Sequence, residues 1–387
     1  MTGTTIMKAR WVWLVVFTAG CFGGDNNEQE ETERGYEWEL PQGVPEPRIP
    51  EDNPVTLEKA ELGRHLFYDK RLSGNETQAC AGCHKQELAF TDGLAEALGS
   101  TGQAHFRSSM GLTNIAYGLT LGWAGPATPT LEQQALIPMF GDDPVELGLS
   151  VLSEEELLER FRGDALYEEL FARAYPDQEE PITLDNLIAA IATFERTLVS
   201  FNSPFDRYIF DEEATALTES ERRGMDLFFS ERLECFHCHG GFNLSDSITH
   251  EGLVFESQAF HNTGLYNIDF EGGYPERDRG LYDITGLEED MGKFKAPTLR
   301  NIAVTAPFFH DGSAETLDDV LDHYERGGRA ITSGEYIGDG AQNPYKSELI
   351  TGFLLSDQER EDLKAFLHAL TDEEFLTDPR FSDPFEE

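Results

Sequence analysis

Two short stretches of this 387-residue chain carry cysteine and histidine at a chemically telling spacing: "CAGCH", from Cys80 to His84, and "CFHCH", from Cys235 to His239. In a C-x-x-C-H sequence, two thiols one helical turn apart can each add to a vinyl group of haem. The adjacent histidine then lies against the iron as its proximal ligand. Zinc competes for such cysteines, but it would want a second Cys/His pair at finger spacing, and the sequence has none. The expectation is therefore two covalently bound c-type haems, attached through Cys80/Cys83 and Cys235/Cys238, with His84 and His239 on the irons. His237, inside the second motif, falls at a variable position and is expected to face solvent. The opposite face of each iron then decides function. A strong sixth ligand makes an electron relay, whereas an empty position lets peroxide or oxygen bind.

The elements that must position these groups read as mainly helical. "SEEELLERF" opens with Ser153 and Glu156 at capping-box spacing, and "SDQEREDLKAFLHAL" opens with Ser356 and Glu359 in the same way. Leu187, Ile191, Phe194 and Leu198 line one helical face. Strand signals are few, and the Gly/Pro-rich loops are long. "LGRHLFYDKRLSGNETQACAGCH" and "RGMDLFFSERLECFHCH" share a plan: Gly, two residues, Leu-Phe, a connector, then C-x-x-C-H. Duplication of one supersecondary unit explains that weak repeat. The fold class expected is mainly α, with two cytochrome c-like haem domains, long loops and few short strands. The domains run over 55–205 and 215–375, after a signal peptide (1–20) and an acidic Pro-rich tether (21–54).

Composition narrows the partners. Acidic residues number 73 against 29 basic, a net charge of −44. Most of these carboxylates form a solvated surface, but their field repels nucleic acid and anionic membranes and favours neutral or basic partners. At the N-terminus, Lys8 and Arg10 precede an apolar run from Trp11 to Phe17 that is too short to span a bilayer. The run ends in "TAGC", which resembles a lipoprotein cleavage site before Cys21, although Thr18 stands where Leu is usual. Of five cysteines, Cys21 alone is left over from the motifs, and lipid attachment would account for it. The chain is thus expected to be exported to the periplasm, with a lipid at Cys21 as its membrane anchor.

From about residue 40 to 375 the sequence resembles the bacterial dihaem cytochrome c peroxidase/MauG superfamily. The resemblance is carried by "CAGCH", "TLEQQALIPMFGDDPVELG", "FERTLVSFNSPFDRY", "CFHCH", "FHNTGLYN" and "KFKAPTLRNIAVTAPFFHDGS" in that order. In peroxidases of this family a methionine caps the second haem at a fixed count after the histidine of the "HDG" motif. From His310 that count lands on Tyr324, as it does in MauG-type members. A tyrosine on an amphipathic helix is ordinarily core filling. Here the resemblance implies that Tyr324 is an iron ligand, since no methionine stands near it; Met291 and Met225 are the remote substitutes. A phenolate is a hard anionic donor that favours oxidised iron, so a bis-ferryl-type, high-valent state becomes accessible.

The first haem is implied to be open. The family's capping histidine, counted back from Arg107, falls on Ser100; His105 is nearby but out of register. The family's acid–base glutamate corresponds to Glu146, after a short "GDD" insertion. Gln134 corresponds to a distal hydrogen-bonding residue and Pro138 to a wall limiting access. Trp123 matches the tryptophan between the haems, where it would carry an electron hole, although "W-D-G-R" is here "W-A-G-P". Thr305 and Pro307 match carbonyl ligands of a structural Ca²⁺, whose Asn ligand is replaced by Ser108. The surface tryptophan through which MauG passes electrons is absent; Leu233 and Glu234 stand before the second motif. The phrasing of several loops is closer to the MbnH-type branch, associated with copper-binding partners and conversion of a partner tryptophan to kynurenine. The resemblance thus implies an enzyme that uses hydrogen peroxide to oxidise aromatic residues of a periplasmic, copper-binding partner. Its alternative is reduction of peroxide to water with electrons from a small cytochrome or cupredoxin. A non-catalytic electron carrier with both irons capped is the third reading.

Overall fold

The glycine that recurs ahead of each motif marks a helix crossing. A Cβ on Gly63 would fall 1.9 Å from the Ala190 carbonyl oxygen, and one on Gly224 would fall 1.9 Å from that of Asp362. Only a residue without a side chain lets the backbones approach this closely. The Leu-Phe that follows each glycine then turns into the core: Leu66 and Phe67 are fully buried, as is Phe228. These crossings belong to a computed structural model of the protein that describes residues 36–125 and 130–385. The expected signal peptide and Cys21 lie outside the described residues.

Eleven α-helices occur among the described residues: α1 (Leu57–Tyr68), α2 (Cys80–Cys83), α3 (Leu131–Phe140), α4 (Glu154–Glu159), α5 (Ala165–Ala174), α6 (Leu184–Thr197), α7 (Pro204–Ile209), α8 (Glu219–Phe228), α9 (Tyr282–Thr285), α10 (Leu317–Arg326) and α11 (Asp357–His368). The one regular sheet among them pairs β1 (Ala330–Ile331) antiparallel with β2 (Gly338–Asp339). The mainly helical reading holds. Both expected capping boxes form, at α4 and α11, and three more appear at Ser203/Asp206, Thr218/Glu221 and Thr316/Asp319. In each, the cap hydroxyl accepts from the third backbone N–H while the acidic side chain accepts from the cap's own N–H, satisfying two otherwise orphaned donors.

Two principal cores follow the two crossings. Helix α1 packs on α6, whose Leu187, Ile191 and Phe194 are buried with Leu62, Leu66 and Phe67. Helix α8 packs on α11, where Phe228, Leu363, Phe366 and Leu367 gather with Leu317 and Leu321 of α10. The two halves are stitched together by non-local contacts, and Trp38–Glu387 form one unit. Asn114 and Asn301, each in a left-handed conformation at the start of an N-I-A turn, are fully buried and meet at Ser200. Asn114 Oδ1 accepts from the Ser200 N–H at 2.7 Å, and Asn301 Nδ2 donates to Ser200 Oγ at 3.1 Å. Beyond α11 the chain returns to the first core, where Phe375, Leu376 and Phe381 are buried. Residues 38–54, the later part of the expected tether, lie along this body. Tyr117 donates to the Pro45 carbonyl at 2.8 Å, and Asn53 donates to the Ala189 carbonyl at 2.9 Å.

Replacing either crossing glycine by alanine forces the paired helices apart. We expect Gly63→Ala and Gly224→Ala each to cost about 1–3 kcal/mol, measured by urea unfolding of the purified protein.

Candidate haem sites

The first motif forms a single helical turn, α2, that places Cys80 and Cys83 on one side and ends at His84. His84 Nδ1 lies 2.8 Å from the Phe90 carbonyl oxygen, which fixes Nδ1 as the donor and leaves Nε2 free to coordinate. The loop reaches that position because Ala89 and Phe90 both adopt positive φ (53° and 63°). Burial lowers the His84 pKa, so the imidazole is neutral, the form a metal ligand requires. Burial likewise raises the Cys83 thiol to about 11 and pushes Cys80 up.

Glu146 is close enough to both thiols to act on them electrostatically, so the structure brings it to the first motif. Burial raises its pKa to about 6. His105 accepts from the Arg107 N–H at Nδ1 (3.1 Å), which turns its Nε2–H toward Glu146 Oε1, 3.7 Å away. Ser100, at the position of the family's capping histidine, has its hydroxyl engaged with the Leu147 carbonyl at 3.2 Å and its N–H with the Glu146 carbonyl at 2.7 Å. It holds the glutamate's loop. The Leu147 N–H donates to the Pro138 carbonyl at 2.9 Å, which ties that loop to α3. Gln134 lies one turn earlier on α3, half-buried, and its amide makes no hydrogen bond to a described residue.

The second motif repeats the arrangement. His239 Nδ1 lies 3.1 Å from the Pro297 carbonyl and 3.4 Å from that of Leu244, and burial again keeps the ring neutral. Burial raises the Cys235 thiol to about 12. His237 is exposed, as expected, beside Glu234 at 2.7 Å. Cys235, Cys238 and His239 line a large cavity whose wall also carries Tyr324 of α10. The Tyr324 hydroxyl makes no hydrogen bond to a described residue, and its pKa is raised by burial and by the two cysteines. Tyr324 is half-buried, on the wall of that cavity. These side chains fit haem: two thiols, one imidazole with a free Nε2, and a phenol share one largely apolar cavity.

A family model described as di-haem cytochrome c peroxidase matches residues 57–214. The methylamine utilization protein MauG of Methylorubrum extorquens is 32% identical, covering 92% of this chain and 93% of that protein. Cytochrome-c peroxidase IdrP1 of Pseudomonas sp. (strain SCT) is 33% identical, covering 85% and 84%. The chain belongs to the dihaem cytochrome c peroxidase/MauG family. A solved MauG-like protein associated with microbial copper homeostasis is 50% identical to this dihaem peroxidase, with a TM-score of 0.89 over 91% of this chain and all of that one.

In this family member Trp123 lies on the wall of the second cavity and donates from Nε1 to the Ser108 carbonyl at 2.9 Å. Residues 108–111 and 113–115 of the first half line the same wall. Thr305 and Pro307 line it too, but the Ser108 hydroxyl is engaged with the Phe309 carbonyl at 3.1 Å. Spacing missed two buried ionisable groups. Glu195, beside Cys80, is raised to about 8 by burial and has an unpartnered Oε2. Lys295, on the cavity wall, is lowered to about 7 by burial and donates to the Thr120 carbonyl. Their only sequence signal is a charged residue on an otherwise apolar helix face or loop.

Helix α3 is fastened to α6 by a two-pronged pair, Arg196 Nη1 and Nη2 to the two oxygens of Glu132 at 2.7 and 2.8 Å. Burial alone would raise the Glu132 pKa; the guanidinium overrules it and holds the carboxylate at about 2. This stabilisation is complete above the ordinary carboxylate range and fades as pH falls toward about 2. Glu132→Ala leaves Arg196 buried and uncompensated. We expect a loss of about 3–5 kcal/mol, with a shallower fall in stability on acidification, both read by urea unfolding from pH 7 downward.

Proposed function

We propose that this dihaem peroxidase takes oxidising equivalents from hydrogen peroxide at the first site and spends them on aromatic residues of a partner protein. The observation that carries the reading is Tyr324, a half-buried phenol on the cavity of His239, Cys235 and Cys238 whose hydroxyl has no hydrogen bond to a described residue. Bound at these two sites, the haems supply iron that reacts with peroxide and holds two oxidising equivalents. His84 and His239 would hold the irons through Nε2. Tyr324 would donate its phenol oxygen to the second iron and favour its oxidised state. Ser100 and His105 are committed elsewhere, so neither would compete with peroxide for the first haem.

Glu146 then has the proton work. Its carboxylate would take a proton from hydrogen peroxide and return it to the departing oxygen, with Gln134 free to hydrogen-bond and Pro138 limiting access. The His105 Nε2–H faces the carboxylate and steadies its orientation. Trp123 shares the oxidised state between the two sites. The partner is proposed to be a periplasmic, copper-binding protein and the product a tryptophan-derived kynurenine. Support comes from the 50% identity to a MauG-like protein associated with microbial copper homeostasis. Export and lipidation at Cys21 complete the proposal; no helix among the described residues is long and apolar enough to cross a membrane.

With its pKa at about 6, Glu146 is an ionised base above that pH and a protonated bystander below it. The rate of reaction with peroxide should therefore fall as pH drops through about 6. Glu146→Gln should abolish that limb and slow the reaction by about 10²–10⁴-fold, followed by stopped-flow absorbance. Tyr324→Met tests the partner step. The variant should still consume peroxide with a small redox donor but leave the partner's mass unchanged; undiminished partner oxidation would overturn the proposal.

A further inference from the structure

We infer that oxidising equivalents leave Trp123 along a run of aromatic rings that surfaces at Tyr336, far in sequence from where a MauG-type exit tryptophan would stand. The inference rests on the peroxide-driven reading above. Trp123 meets His310 edge-on at 6.4 Å between ring centroids, and His310 stacks on Phe294 at 3.6 Å. Phe294 lies 6.4 Å from Tyr274, Tyr274 lies 5.3 Å from Tyr266, and Tyr266 meets Tyr336 at 5.7 Å. The inner rings are buried, whereas Tyr336 is 37% exposed. The one regular sheet among the described residues builds the last step. Tyr336 lies on the hairpin between β1 and β2, and Gly338 of β2 bridges to Ile268, two residues beyond Tyr266.

The proton partners distinguish a route from ordinary packing. A tyrosine that loses an electron must also lose its proton, because the oxidised phenol is a strong acid. Tyr266 Oη donates to Asp311 Oδ2 at 2.7 Å, so a carboxylate already sits on the proton. Asp311 is held in turn by the Ser313 N–H at 3.1 Å and by Arg329 at 3.2 Å. The Arg329 guanidinium lies 4.4 Å from the centre of the Tyr266 ring, which disfavours leaving positive charge there and couples electron loss to proton loss. Tyr274 donates instead to the amide oxygen of Asn262 at 2.8 Å, which cannot keep a proton. Tyr274, Phe294 and His310 therefore serve as a close-packed bridge, and Tyr266 as the resting place.

The electrons balance. One electron passes from Tyr266 to oxidised Trp123, while the Tyr266 O–H bond breaks and its proton moves to Asp311. An electron from Tyr336 then restores Tyr266, which takes its proton back, and the Tyr336 proton goes to solvent. A donor docked at the surface returns one electron to Tyr336, which takes a proton back from solvent. Each peroxide reduced to water, the reaction of this family, drives two such passages.

The test adds peroxide to the purified holoprotein with a nitrone spin trap and maps adducts by peptide mass spectrometry, with peroxide consumption followed in the same samples. Wild type should carry the adduct on Tyr336. Tyr266→Phe keeps the ring but loses the proton donor, and Asp311→Asn keeps the shape but loses the base. Each should reduce the Tyr336 adduct at least tenfold at unchanged peroxide consumption. An undiminished adduct in both variants, or peroxide consumption by wild type with no adduct on Tyr336, overturns the route alone. No peroxide consumption by wild type overturns both the route and the reading beneath it.

Discussion

Two histidines each give up one ring nitrogen to a backbone carbonyl, His84 to Phe90 and His239 to Pro297, and the rest of the architecture serves those bonds. A neutral imidazole has one N–H and one lone pair, so committing the first decides where the second points. The carbonyls are held by loops with unusual backbone, at Ala89 and Phe90 in one half and near Leu244 in the other. Those loops are fixed against paired helices that cross at a glycine. Sequence sets the glycine, the glycine sets the crossing, and the crossing sets where each imidazole aims.

What differs between the halves is the wall that each motif faces. The first is met by Glu146, a carboxyl whose burial brings it into the range where it can both take and give a proton near neutrality. The second is met by Tyr324, a phenol that cannot work as an acid or base there because burial raises its pKa further. In the proposed reading, proton chemistry belongs to the first site and storage of oxidising power to the second. Trp123 is held to the Ser108 carbonyl, on a wall to which both halves contribute.

Much of this was legible in the sequence, because it is written in local spacing. The two motifs, the capping boxes of α4 and α11, the buried stripe of α6 and the repeated Gly-x-x-Leu-Phe all depend on neighbours a turn or two away. Other features depend on contacts that spacing does not encode. Ser100 reads as a lost ligand but acts as a tie for the loop of Glu146. Asn114 and Asn301 are a second repeat, overlooked because their shared role is to meet at Ser200, remote from both in sequence. The return of Phe375 and Phe381 to the first core is invisible to any periodicity argument. The aromatic run from Trp123 to Tyr336 draws its rings from five separate loops.

The central claim is that the second iron sits between His239 and the oxygen of Tyr324 while the first keeps an open face. Resonance Raman spectroscopy of the purified diferric holoprotein tests it most directly. The account predicts phenolate–iron vibrations that vanish in Tyr324→Phe, together with one five-coordinate high-spin haem. Two six-coordinate low-spin haems with only nitrogen or sulfur donors, unchanged by that substitution, would contradict it.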